Sequence, residues 1–163
     1  MIRTILIWKK EENKMKIALG SDHGGYNLKT TVAKHLKEKG YDFEDFGCFT
    51  CESCDYPDYA LKVAEKVADG EFNLGIVVCG TGIGVSIAAN KVPKIRAAHC
   101  TDTYSARYSR MHNDANILAL GGRITGDGLA LDIVDAFLTS KFEGGRHAKR
   151  VDKITAIEKK YNK

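Results

Sequence analysis

Leu74-Gly75-Ile76-Val77-Val78-Cys79-Gly80-Thr81-Gly82-Ile83-Gly84 is the stretch on which the fold turns. Leu74 to Val78 is apolar without polar alternation, which reads as a strand buried on both faces. The glycines at 80, 82 and 84 end it. Ser86, Ala88 and Ala89 follow, side chains small enough for a helix to lie close against a sheet. Strand, glycine-rich turn and tightly packed helix form the repeating unit of an open parallel sheet.

The same alternation extends outward. Upstream, Ile17-Ala18-Leu19 predicts a strand ending at Gly20, and Leu28, Val32 and Leu36 mark a helix over 25–39 that stops at Gly40. Tyr41 to Phe46 predicts a second strand, and Pro57 marks the start of a helix with Tyr59, Val63 and Val67 on its buried stripe. Downstream, Ile95 to His99 predicts a fourth strand, and Asp102 or Thr103 caps a helix running towards Met111. Asn116 to Leu120 predicts a fifth strand, and Leu129, Ile133, Val134 and Phe137 a further helix. Gly144-Gly145 separates these from a last polar helix, 148–161. The expected architecture is α/β in three layers: a five-stranded parallel sheet flanked by helices, plus a C-terminal helix. Residues 15–163 form one domain in this reading. Residues 1–14 read as an extension, with an extra edge strand over Ile2 to Trp8 as the alternative.

The bulk numbers narrow the function classes. The chain has 163 residues, enough for one sizeable core, and a net charge of +4. That charge, without a dense basic block, argues against nucleic acid and mildly favours an anionic substrate. No apolar run approaches the ~20 residues of a membrane span, and the N-terminal stretch lacks a cleavage site, so a cytoplasmic location is expected. The five cysteines are then expected to be free thiols in a reducing compartment.

Ligands of open parallel sheets bind beyond the carboxyl ends of the strands. Two such ends carry chemistry. In the 79–84 run, three glycines in five positions let backbone N–H groups converge on one point beside a helix N-terminus, an anion cradle. A helix N-terminus favours the thiolate of an adjoining cysteine, so Cys79 is a candidate base, with Thr81 a donor to a developing oxyanion. An ordinary tight turn with an inert cysteine explains the same run. Nucleotide motifs fail on spacing: Val85 stands where the dinucleotide fingerprint needs its third glycine, and the lysine that a Walker loop needs beside its last glycine is missing, the first lysine after the run being Lys91. Asp22-His23 ends the first strand and can bind sugar hydroxyls, although an Asp in that place also caps helices.

Elsewhere, His112 with Asn113 suits acid–base work or simple helix capping. Arg146 and Arg150 lie one helical turn apart and suit a phosphate, or a solvated basic face. Cys48-x2-Cys51-x2-Cys54 resembles part of an iron–sulfur ligand run, but lacks an obvious fourth ligand.

Taken in order, the segments at 20–25, 55–60, 79–91, 109–116 and 144–150 resemble the ribose-5-phosphate isomerase B family, over 15–161. The resemblance implies a Rossmann-like fold and interconversion of ribose 5-phosphate and ribulose 5-phosphate without metal or cofactor. It implies Cys79 as proton acceptor, His112 as the group that opens the sugar ring, and catalytic support from Thr81 and Asp22. Substrate contacts are implied for Asp22, His23, Gly80, Thr81, Gly82, Ile83, Gly84, Asn113, Arg146 and Arg150. It also implies a homodimer with shared active sites, the pairing of dimers into tetramers being left open. Arg123 is a further phosphate or dimer-contact candidate. Six-carbon sugar phosphates are the competing substrates. A non-catalytic phosphosugar module and a metalloprotein built on Cys48, Cys51 and Cys54 are the competing classes.

Overall fold

The computed structural model describes residues 15–161. The expected extension, 1–14, and its alternative edge strand lie outside the described residues. Five strands, β1 (Lys16–Ser21), β2 (Asp42–Asp45), β3 (Leu74–Cys79), β4 (Ala97–His99) and β5 (Ile117–Gly121), form one sheet in the order β2-β1-β3-β5-β4. Every pairing is parallel. The chain starts at β1, moves to one edge, then crosses over to the other, so the crevice at the switch point opens beside β1 and β3.

Among the described residues, six helices surround the sheet: α1 (Tyr26–Glu38), α2 (Tyr56–Ala68), α3 (Ile83–Ala89), α4 (Thr103–Asn113), α5 (Asp127–Thr139) and α6 (Arg146–Tyr161). Two cores result. Leu28, Val32 and Leu36 of α1 and Ile133, Val134 and Phe137 of α5 cover one sheet face. Ala60, Val63 and Ala64 of α2 and Val85 and Ala89 of α3 cover the other. Phe137 is fully buried, and such a side chain contributes about 1.5–3 kcal/mol. The polar α6 buries only His147 and packs on α4.

Element boundaries differ from the sequence expectation by a few residues. β4 begins at Ala97 rather than Ile95. Arg96 N–H is taken by the Asn116 side chain at 2.8 Å, which diverts the backbone before the ladder starts. α4 runs on to Asn113 and ends at Asp114 in the left-handed conformation. Asp102 is its cap, accepting from Ser105 N–H at 2.7 Å. The last helix starts two residues early, at Arg146.

Candidate active site

One group of candidates gathers at the carboxyl ends of β1 and β3. Asp22 is buried, and its Oδ1 accepts the Gly25 N–H at 2.9 Å. Its backbone N–H donates to Val78 O at 3.2 Å, fixing it one strand away from Cys79. Gly25 makes this approach possible: a Cβ there would stand 2.5 Å from the Val78 carbonyl. The His23 ring is held through Nδ1, which lies 3.2 Å from the Cys54 N–H and 3.3 Å from the Cys54 carbonyl. Nε2 is the nitrogen left to meet a ligand.

The loop after β2 supports this pair. Phe46 N–H donates to Leu19 O at 2.8 Å, and Ser21 exchanges hydrogen bonds with Gly47 O and Cys48 N–H, both at 2.5 Å. Lys29, on α1, is 1% exposed. Its ammonium donates to both Asp45 oxygens at 2.8 and 2.6 Å and to Cys48 O at 2.6 Å, so all three protons are used.

Cys79 ends β3 and is 4% exposed. Its Sγ accepts the Gly82 N–H at 3.1 Å. Gly82 has φ +79°, and the His99 ring and the Leu120 carbonyl fill the space its side chain would need. This is a position only glycine takes at no steric cost. Tyr56 lies against Gly84, and Arg123 lies over Gly80, closing the turn from two sides. Thr81 is exposed at the crest, its Oγ1 accepting from Ile83 N–H at 3.3 Å. A buried sulfur accepting the Gly82 N–H at the head of a glycine-rich turn, with a carboxylate and an imidazole one strand away, can move a proton on carbon, and the turn's backbone donors can stabilise the resulting oxyanion.

The second group lies elsewhere. α4 leaves the carboxyl end of β4 and travels about 15 Å along its axis. Its last residues therefore reach the amino ends of the strands, where Arg96 Nε donates to the carbonyls of Asn113 and Asp114 at 3.1 and 2.9 Å. There the imidazoles of His112 and His147 stack at 4.0 Å, with their planes 7° apart. Glu143 Oε2 is 3.5 Å from Nε2 of each. Arg146 Nε donates to His147 Nε2 at 3.4 Å, and Arg150 is exposed one turn further along α6. Burial, followed by the charges of His112 and Arg146, pushes the His147 pKa down; Glu143 opposes them. Thus one chain brings Asp22, His23 and the 79–84 turn together, and brings His112, Asn113, Arg146 and Arg150 together, but places the two sets at opposite ends of the sheet.

Sequence reasoning passed over Glu143, His147, Tyr56 and Lys29. The four-residue spacing of Glu143 and His147 was the visible signal. Lys29 carried none, because lysine on a helix normally reads as solvated.

His112, Glu143 and His147 are close enough to be considered as metal ligands. Their arrangement is poor for that purpose: parallel rings cannot both aim an Nε2 lone pair at one ion, and Arg146 already donates to His147 Nε2. The three loop cysteines do not share a common centre; Cys48 is buried, Cys54 half-buried and Cys51 exposed. Cys54 Sγ faces His23 Nδ1 at 4.0 Å, and burial, then contact with Cys54, pushes the Cys48 thiol up. A mainly apolar cavity of about 270 Å³ opens between α4, α6 and the edge of β4, lined by Ile95, Arg96, Ser109, Asn113 and Ile154 among others.

The chain is similar to known proteins over most of its length. The family described as Ribose/Galactose Isomerase matches residues 17–154. The chain is 53% identical over 147 residues to ribose-5-phosphate isomerase B of Escherichia coli, covering 90% of this chain and 99% of that one. Among solved structures, Clostridium thermocellum ribose-5-phosphate isomerase B superposes with a TM-score of 0.89 at 66% identity, covering 90% and 99% of the two chains. Ribose-5-phosphate isomerase B from Mycoplasma genitalium, solved with bound ribulose-5-phosphate, superposes with a TM-score of 0.85 at 44% identity, covering 89% and 97%.

Proposed function

The chain belongs to the ribose/galactose isomerase family, and from that premise we propose that it interconverts ribose 5-phosphate and ribulose 5-phosphate through an enediolate. The observation that carries the chemistry is the Cys79 sulfur, buried at the head of the glycine turn and 3.1 Å from the Gly82 N–H.

In this reading His112 opens the furanose, and Arg146, Arg150 and His23 hold the phosphate, with Asn113 beside them. Cys79 takes the proton from C2 of the open aldose. The electron pair moves into the C1–C2 bond and the carbonyl becomes an enediolate oxyanion, stabilised by N–H groups of Gly80, Gly82, Ile83 and Gly84 and by Thr81. Asp22 steers the sugar hydroxyls. The O2 hydroxyl proton passes to O1 as C2 becomes the ketone carbonyl, and the proton held by Cys79 returns at C1, giving the ketose. Backbone donors do the work a Lewis acid would otherwise do, so no metal enters the scheme.

The two half-sites of one chain cannot meet on one substrate, so the scheme requires a homodimer in which Cys79 of one copy faces His112 of the other. Apolar side chains beside the turn, Ile83 at 51% and Ile87 at 58% exposed, fit a surface that a second copy covers. A cytoplasmic enzyme of the non-oxidative pentose phosphate pathway is the corresponding cellular role.

The deciding experiment is an isomerase assay with chelator present, run on ribose 5-phosphate and on galactose 6-phosphate and allose 6-phosphate. Turnover of the pentose with the higher kcat/KM is the expected result. Preference for a six-carbon sugar reassigns the substrate. Loss of activity with chelator rejects the metal-free scheme.

A further inference from the structure

The connector between α5 and α6 is stitched to the end of α4: Glu143 N–H donates to Met111 O at 3.0 Å, one residue before His112. This places the Glu143 carboxylate 3.5 Å from Nε2 of His112 and 3.5 Å from Nε2 of His147. The His112 ring has little freedom. His147 stacks on it at 4.0 Å, and Tyr108, from its own helix, meets it edge-on at 4.7 Å. His147 is buried, and among the described residues its Nδ1 has no hydrogen-bond partner. The charged or titratable groups facing the pair are Glu143 from the connector, Arg146 and Arg150 from α6, and Tyr108 from α4.

Two imidazolium rings stacked at 4.0 Å repel one another, and a single carboxylate offsets one positive charge. His147 is the poorer holder of that charge. It is buried, receives an N–H from Arg146, and has no acceptor at Nδ1. His112 is about one-third exposed and adjoins no guanidinium hydrogen bond.

We propose that Glu143 is a positioning residue whose carboxylate fixes the orientation of His112 and keeps the single proton of the stacked pair on it, with His147 serving as the neutral shelf. The inference rests on the reading of His112 as the ring-opening acid. It explains how that acid reaches the substrate protonated in a place where two arginines disfavour positive charge.

The test is the pH dependence of kcat and KM on ribose 5-phosphate for the full chain, as wild type, Glu143→Gln, Glu143→Asp and His112→Asn. Glu143→Gln should lower kcat about 10- to 100-fold with KM changed less than about twofold. Its alkaline limb should move to lower pH, because an imidazolium without its carboxylate releases the proton sooner. Glu143→Asp should recover part of the rate and the original limb. Wild-type kcat and pH profile in Glu143→Gln overturns the inference, as does an equal rise of KM without a shifted profile. Full activity in His112→Asn instead overturns the ring-opening reading, whatever Glu143 does. NMR titration of the wild-type imidazoles needs no variant to fold: His112 should hold its proton to higher pH than His147, and the reverse order rejects the inference.

Discussion

Lys29 shows how much one residue can carry. Its stem crosses the apolar side of α1, and its ammonium ties Asp45 and the Cys48 carbonyl to the loop that backs Asp22 and His23. Lys29→Met keeps the stem but strands a partly buried carboxylate, and should cost about 3 kcal/mol in urea unfolding. Cys79→Ala should leave melting temperature and substrate affinity unchanged and lower kcat by ~10²–10⁴-fold, since only the proton transfer is lost. Thiol chemistry should follow burial. Cys100, 2% exposed and with its pKa pushed up to about 11, should resist iodoacetamide at neutral pH, while exposed Cys51 is alkylated first, as peptide mass mapping would show. His147 sets an acid limit. Its pKa is lowered on folding, so the stability it contributes is complete above about pH 6.5 and drains away as pH falls and the unfolded chain takes up a proton that the folded chain refuses. Thermal melts between about pH 8 and pH 5 should record that decline, and His147→Asn should flatten it.

The elements themselves follow from local chemistry. β1, β3 and β5 are continuous apolar runs because helices cover both of their faces, and they were legible as such. β2, with the sequence Asp42-Phe43-Glu44-Asp45, is an edge strand whose Asp42 and Glu44 are exposed while Asp45 pairs with buried Lys29, and only its position between two helices betrayed it. Glycines at the junctions set how close elements come. Gly25→Ala would push α1 off the end of β3, so this single methyl should impair both folding yield and turnover, whereas Gly126→Ala, with open space around it, should do neither. Expression level and kcat of the two variants measure the contrast. The Cys79 turn was readable because its three glycines fall within five residues. The Glu143 contact was not, because it depends on a backbone bond between a connector and the end of a helix 32 residues earlier in the chain.

At the scale of the whole molecule, the strand-end rule points to half of the proposed site. Asp22, His23 and Cys79 obey it; His112, Arg146 and Arg150 do not, because α4 carries its last turn to the amino ends of the strands. In the proposed homodimer a neighbour uses this displaced set, and no pattern within one chain reveals such sharing. The separation has a genetic consequence. An allele encoding Cys79→Ala and another encoding His112→Asn should each be null alone, yet rescue one another when expressed together, since a mixed pair holds one intact site and one doubly damaged site. Random assortment should restore about a quarter of the wild-type activity. Two alleles damaged on the same side of the sheet, such as Cys79→Ala with Asp22→Ala, should fail to complement.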